Sequence, residues 1–206
     1  MQWKRWLVML VVLGMAGMVL NGCSNPEEKA AKDRLEQALA LEQQKNLPEA
    51  RKLLGELARK YPQTKAAGQG VAAQQRIIQQ MDSIQRELSK TLESMVLVLA
   101  GYQSVTGKPL TDLGELDSGA YMFDSSYLAE AVPEGVEAYI LLKKDGGFHL
   151  WAYRAEYKMG MQRDSIRRGG KPFAGEEMVQ KLRSDYTTQK VAGKLNVLSP
   201  VVTAEK

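Results

Sequence analysis

The stretch "RIIQQMDSIQRELSKTLESMVLVLAGY" (residues 76–102) decides how the chain folds. Its apolar residues recur in alternating steps of four and three, which is the spacing of one face of a helix. The positions are Ile77, Met81, Ile84, Leu88, Thr91, Met95, Val98 and Tyr102, and the polar Thr91 interrupts the apolar series. The pattern predicts a long core helix over residues 65–102, with a coiled-coil dimer as the alternative. Gly68 and Gly70 weaken the helix start, so its stable part is expected from about Val71.

Two shorter helices precede this seam. Apolar residues at helical spacing fill the stretch before Lys45 and predict a first amphipathic helix. In the next segment Asn46 can cap a second helix, and Pro48 lies in its first turn, where the missing N–H costs nothing. Pro62 ends it, because the residue before a proline is pushed out of helical geometry. We therefore expect a helical hairpin over residues 34–64.

The hairpin resembles a single tetratricopeptide repeat. The matching positions are Ala38, Leu41, Leu47, Ala50, Leu54 and Pro62. The chain departs from the family at Lys45, where a glycine is usual, and it lacks the opening Trp-Leu pair. Such repeats need about three copies to bury a continuous core. One copy therefore implies a hairpin that packs on its own neighbours, not a peptide-binding superhelix.

The sequence changes character after Tyr102. Segments rich in Gly, Ser and Asp predict loops, and "VEAYILLKK" and "FHLWAYRAEY" predict two strands joined by an Asp-Gly turn. A further helix is expected from Gly175 to about Thr188, followed by a strand or an extended end. The fold class is therefore α+β, with a small antiparallel sheet, a β-hairpin and a C-terminal helix in residues 103–206.

Residues 77–157 resemble the globular half of type IV pilins and pseudopilins. The resemblance rests on a long helix ending in an aromatic, then "TGKPLTDLGEL", "SSYLAEAVPEG" and a hairpin ending in "HLWAY". The chain lacks the prepilin leader and the apolar helix with its glutamate through which pilins pack into filaments. The resemblance therefore implies a lipid-anchored relative or accessory, not a filament subunit.

The amino-terminal residues have the order of a secretory leader. "MQWKRW" is a short basic start, and an uncharged apolar run follows from Leu7 to Leu20. A bilayer-spanning helix needs about 20 apolar residues. The run is shorter, so it favours a cleaved signal peptide over residues 1–22.

The end of the leader resembles the lipobox of bacterial lipoproteins. The motif residues are Leu20, Asn21, Gly22 and Cys23, the sole cysteine of the chain. The resemblance implies cleavage between Gly22 and Cys23, with S-diacylglycerol and N-acyl groups on the cysteine and a short polar tether over residues 23–33. Ser24, where Asp would retain the protein in the inner membrane, implies the periplasmic face of the outer membrane. An ordinary signal peptide with a chance cysteine and an uncleaved anchor are the alternatives.

The charge balance argues against nucleic acid as a partner. The chain has 206 residues and a net charge of +4, part of which lies in the leader. A phosphate-binding face needs clustered Lys and Arg. The one basic patch lacks interleaved aromatics and is expected to be a solvated loop; it comprises Arg163, Arg167, Arg168 and Lys171.

The sequence contains no recognised catalytic or metal-binding motif. His149 is the sole histidine and alternates within a predicted strand, so it is expected to be packed or exposed at an edge. We expect no enzymatic activity, no cofactor and no metal. A rival hypothesis is a ligand-binding or enzymatic module using a groove between the long helix and the hairpin, with His149 and a converging Asp or Glu in a deep pocket.

The aromatic residues concentrate in one third of the chain. Tyr121, Phe123, Tyr127 and Trp151 are candidates for an exposed interaction surface. Together these features predict an outer-membrane lipoprotein, held by acyl chains on Cys23, that acts as scaffold or accessory protein in an envelope assembly. A pilus or secretion apparatus is the candidate assembly. Its expected partners are other envelope proteins. A structural lipoprotein of the cell envelope is the third hypothesis.

Overall fold

A computed structural model describes residues 25–117, 125–165, 169–191 and 195–200. The helices there are α1 (Pro26–Gln43), α2 (Leu47–Lys60), α3 (Lys65–Thr106), α4 (Ser125–Glu130) and α5 (Glu177–Asp185). The strands are β1 (Glu137–Leu142), β2 (Phe148–Arg154), β3 (Met159–Asp164), β4 (Lys171–Ala174), β5 (Tyr186–Val191) and β6 (Leu195–Pro200). This mixture of helices and a mostly antiparallel sheet confirms the predicted α+β class.

Helix α1 begins earlier than the hairpin boundary at residue 34. The Asn25 side chain accepts a hydrogen bond from Glu27 N–H at 3.1 Å, and Pro26 occupies the first helical position. Glu27 and Glu28 place negative charge at the positive end of the helix dipole. These favourable features make residues 26–33 helical, so the predicted tether over 23–33 is wrong for them.

In the turn between α1 and α2, Lys45 occupies the position where the repeat pattern usually has a glycine. Lys45 has φ 59°, the left-handed conformation that favours glycine. The chain thus keeps the backbone shape of the turn without the usual glycine. The Lys45 ammonium forms an ion pair with Glu156 and lies 5.5 Å from the centroid of the Tyr157 ring. These contacts join the helical hairpin to the turn that follows β2.

Helix α3 begins at Lys65, six residues before the predicted stable part at Val71. Its first turn is capped twice. The Thr64 hydroxyl accepts from Ala67 N–H at 3.2 Å, and the Glu28 carboxylate accepts from Lys65 N–H at 3.1 Å and Ala66 N–H at 3.2 Å. These caps offset the cost of two glycines, and they place the first turns of α1 and α3 side by side.

The carboxyl half of α3 packs on one face of the sheet. Most of the predicted seam is buried along the helix, but Val98 is only half-buried and its neighbour Leu99 takes the buried position. A strict alternation of three and four drifts around a straight helix, which has 3.6 residues per turn. The helix continues past Tyr102 to Thr106 and ends at Gly107 with φ 67°.

Six strands of the described part of the chain form one sheet in the order β4-β3-β2-β1-β6-β5. All neighbours are antiparallel except β1 and β6, which are parallel. The predicted hairpin is therefore the centre of a larger sheet. The predicted helix over 175–188 ends at Asp185, because the chain continues at Tyr186 as edge strand β5.

Arg154 connects the sheet to α3. It forms an ion pair with Glu87, donates a 3.4 Å hydrogen bond to the backbone carbonyl of Glu134, and lies 6.0 Å from the Tyr157 ring centroid. Both members of the ion pair are largely shielded from solvent. The arrangement therefore couples the sheet to the middle of the long helix.

Candidate binding surface on the outer face of the sheet

The face of the sheet that points away from α3 is the candidate functional surface, and we call it the outer face. Residues alternate between the two faces along each strand, so the outer face carries Tyr139, Trp151, Tyr153, Phe173 and Leu198. Helix α5 covers the middle of this face with the buried Val179 and Leu182. Two polar clefts lie at opposite ends of the covered region.

The predicted aromatic surface is not one surface. Trp151 is 6% exposed and belongs to the cluster under α5, so its assignment to an exposed surface is wrong. Tyr127 is 46% exposed, and its helix packs on the α3 side of the sheet. Tyr121 and Phe123 lie outside the described residues, as do Gly22 and Cys23.

The larger opening, the Arg183 cleft, has a volume of about 490 Å³. It is lined by Pro133, Glu134, Gly135, Val136, Glu137, Tyr139, Arg183, Thr188, Lys190 and Asn196. At its base the Glu137 carboxylate accepts from the Tyr139 hydroxyl at 2.6 Å and from Arg183 Nη2 at 2.8 Å. The buried Asn196 amide donates to the backbone carbonyl of Ala138 at 2.9 Å. The cleft presents both charge signs and suits a polar ligand or peptide segment.

Two buried tyrosines lie beside this cleft. Burial, together with the Glu137 hydrogen bond, raises the pKa of Tyr139 to about 12. Burial also raises the pKa of Tyr153 to about 12, with smaller effects of Glu176 and Glu137. Within the described residues the Tyr153 hydroxyl is buried and has no hydrogen-bond partner. Both side chains are therefore neutral at physiological pH.

The raised pKa values of Tyr139 and Tyr153 predict that the folded protein loses stability at alkaline pH. An unfolded tyrosine ionises near pH 10, whereas the folded pKa of each of these two is about 12. Because the folded state binds more protons in that window, the free energy of unfolding should fall as pH rises from about 10 to about 12. Denaturant unfolding over that range measures the slope, which Tyr139→Phe should flatten. Tyr127→Phe, at a half-exposed position, is the matched control. Equal slopes in the two variants would contradict the assignment.

The smaller opening, the His149 cleft, has a volume of about 190 Å³. It is lined by His149, Gln162, Arg163, Asp164, Gly169 and Lys171. The half-buried His149 ring stacks on Trp151 with centroids 5.6 Å apart and an angle of 29°. Burial and the positive charge of Lys143 lower the pKa of His149, while Asp164 acts in the opposite direction. The histidine therefore both packs against a neighbour and borders an open cleft.

The basic patch predicted as a loop is partly strand. Arg163 lies in β3 and Lys171 in β4, because Gln162 pairs with Lys171 across the two strands. Arg167 and Arg168 are outside the described residues. Strand pairing thus places Lys171 near His149, and no sequence motif links these two residues.

The groove between α3 and the β-hairpin does not contain the histidine. That groove is a pocket of about 60 Å³ with mostly apolar lining, including Val96, Leu99 and Phe148. His149 follows Phe148 in β2, so it points to the opposite face. The predicted site for a small-molecule module is therefore misplaced, although His149 and Asp164 do meet in a cleft elsewhere.

One part of the Arg183 cleft had a local signal in the sequence. The alternation in "VEAYILL" places Glu137 and Tyr139 on one face of β1. Arg183 comes from α5 and Lys190 from β5, and no motif links those positions to Glu137. Only the topology brings them together.

Among the described residues, no group of three or more His, Cys, Asp or Glu is placed to hold a metal ion. In the same ranges no helix has the length and apolar character needed to cross a membrane. The chain matches no family model, no curated protein and no solved structure.

Proposed function

We propose that the protein is a lipoprotein of the outer membrane, facing the periplasm, that presents the outer face of its sheet to other envelope proteins as a scaffold or accessory. The observation that carries the proposal is the position of α1. The helix begins at Pro26, three residues after the lipobox Cys23. A lipid on Cys23 would therefore hold the folded body directly at the bilayer.

The long helix supports a role in presentation. The first turns of α1 and α3 lie side by side through the Glu28 hydrogen bonds. Helix α3 then runs for 42 residues, or about 63 Å at 1.5 Å per residue. The sheet contacts the carboxyl half of this helix, through Arg154 at Glu87 and Phe148 near Val96 and Leu99. The sheet is thus held toward the end of α3 that lies away from the first turn of α1.

The anchor is tested by changing the lipid-bearing residue. Cys23→Ser should abolish the acyl mass and block cleavage before residue 23, so the protein should accumulate as an unprocessed precursor that keeps its apolar leader. Ser24→Ala is the matched control and should leave both unchanged. Mass spectrometry and fractionation provide the measurement. A Cys23→Ser variant that is processed as the unchanged chain is, or an unchanged chain whose mature amino terminus carries no acyl mass, would contradict the proposal.

The scaffold role needs a separate experiment in intact cells. A photo-crosslinking residue at the exposed Thr188, beside the Arg183 cleft, should capture a protein of an envelope assembly. The same residue at exposed Arg51 in α2 is the control and should not capture it. Components of a pilus or secretion apparatus would support the more specific form of the proposal. Capture that is equal at both positions would contradict presentation by the outer face.

A periplasmic ligand-binding module on the same anchor is the second candidate function. The observation in its favour is the Arg183 cleft, whose volume of about 490 Å³ lies in the range of small-molecule sites. A structural lipoprotein of the envelope is a third candidate, and it requires neither cleft.

One variant tests whether the Arg183 cleft takes part in partner binding. Glu137→Gln removes the negative charge that Arg183 contacts, and it should alter crosslinking at Thr188 only if the partner occupies this cleft.

A further inference from the structure

The two edges of the sheet differ in how well they are protected against pairing with another strand. An edge strand exposes a row of unpaired backbone N–H and C=O groups, and proteins commonly shield it by making it short or by placing proline or lysine in it. Edge strand β4 has four residues and contains both Lys171 and Pro172. Proline has no N–H to donate, so this edge is poorly suited to pairing with a further strand.

The opposite edge strand, β5, lacks most of these protections. Its six residues, Tyr186–Val191, pair one to one with β6 without a bulge. The strand contains no proline or glycine, and its tyrosine, threonines and valine are residues that favour strands. Lys190 is its one charged residue, and it lies next to the last position. The described part of the chain places no strand on the free side of β5.

The middle of β5 is also open to solvent. Helices α4 and α5 contact the strand, yet residues 187–190 are all exposed. Neither helix therefore covers the strand over these four residues. A free edge of this length offers main-chain hydrogen bonds to a further strand, which is how β-strand addition joins two chains.

We propose that β5 pairs antiparallel with β5 of a second copy of the chain, so that the two sheets become one across a two-fold axis. An antiparallel pair of identical strands is self-complementary, as a two-fold interface requires. In the register centred on Thr188, the two Thr188 side chains lie opposite each other, and Lys190 of each copy lies opposite Tyr186 of the other. Threonine pairs and a lysine beside an aromatic ring are favourable contacts, and no like charges are opposed along the paired strands in this register.

Pairing of this kind brings two Arg183 clefts together. Directly opposite residues in an antiparallel pair lie on the same face of the sheet, so the outer faces of both copies point the same way. Thr188 and Lys190 belong to β5 and also line the Arg183 cleft. The two clefts therefore border the two-fold axis on one continuous surface. The pairing itself depends neither on the lipid anchor nor on the scaffold function.

The oligomeric state of the full chain tests the pairing. Sedimentation equilibrium in a density-matched detergent measures the protein mass without a contribution from bound detergent. We expect a reversible monomer–dimer equilibrium with a dissociation constant in the micromolar range, because the paired stretch is shorter than the roughly 20–30 residues a side of a standard stable interface. A chain that stays monomeric at about 100 μM would overturn the proposal.

A charge placed at the two-fold axis separates strand pairing from other association. Thr188→Lys sets two positive charges opposite each other and should weaken the dimer by about tenfold or more, since like charges juxtaposed at an interface are costly. Gln80→Lys, in α3, changes the net charge equally and should alter the dissociation constant by less than about twofold, because distant surface charges are screened. Both positions are exposed, so both variants should keep the fold, which circular dichroism checks. Equal effects of the two variants would refute pairing through β5.

A mixture of two variants identifies Thr188 as the point where the copies meet. Thr188→Glu also opposes like charges in its own dimer and should weaken it by a similar factor. An equal mixture of the Thr188→Lys and Thr188→Glu chains places opposite charges at the axis and should recover the dimer. Poor folding of either variant cannot produce such a recovery. A mixture that dissociates as far as the separate variants do would overturn the proposal.

Discussion

Leu92→Ala should lower the free energy of unfolding by about 2–5 kcal/mol, the range for a large-to-small change in a well-packed core. Leu92 is 1% exposed and belongs to the cluster in which α3 meets the sheet. Truncation of the Leu92 side chain leaves a cavity between α3 and the sheet, and the surrounding residues fill that cavity only in part. Alanine has the higher helix propensity, so the loss must come from packing. Chemical denaturation followed by circular dichroism gives the measurement.

Leu97 provides a matched control one and a half turns further along the same helix. Its side chain is 71% exposed, so Leu97→Ala should change the free energy of unfolding by less than about 0.5 kcal/mol. Both substitutions remove the same atoms from the same helix, and only burial differs between them. Equal losses in the two variants would show that α3 does not pack on the sheet as described.

Gly160→Ala should destabilise the fold by about 1–3 kcal/mol, because it adds a methyl group where there is no space. Gly160 lies in β3 between Tyr153 of β2 and Phe173 of β4. The two rings stack across it with centroids 6.0 Å apart and an angle of 10°. A Cβ on Gly160 would overlap the Phe173 ring, so that ring must move away from Tyr153.

Two further variants separate this effect from the general cost of replacing glycine. Gly55→Ala in α2 has room for its methyl group, with Gln74 Nε2 at 3.7 Å, and should be neutral or stabilising by up to about 1 kcal/mol. Phe173→Leu should recover part of the loss when combined with Gly160→Ala, since the smaller side chain relieves the overlap. Losses that simply add in the double variant would refute direct contact between the two positions.

The helical part of the fold could be predicted well from the sequence, since its signals are local. Pro48 and Pro62 placed α2 correctly, and Asn46 precedes its first residue, although the Asn46 side chain makes no capping hydrogen bond. The spacing from Ile77 to Met95 identified the buried face of α3. The positions at which the helices begin and end were less predictable. Whether α3 begins at Lys65 or near Val71 depends on Glu28, which lies in a different helix and caps the first turn.

The candidate clefts were hardly predictable, because their residues meet only through strand pairing and the packing of α5. The sequence identified Trp151 as an exposed aromatic, and the structure buries it under Val179 and Leu182. Lys171 looked like part of a solvated loop until β4 paired with β3. In both cases a neighbour distant in sequence changed the environment of the side chain.

The sequence by itself determined the features that act over a few residues: the turns and stops of the helices, and the alternation of β1 and β2. Short-range sterics and hydrogen bonds dictate these features, so neighbouring residues are enough to predict them. Only the tertiary structure decided where the sheet sits along α3, and which polar residues converge at Glu137 and at His149. Those positions follow from burial and strand register, which depend on the whole chain folding at once.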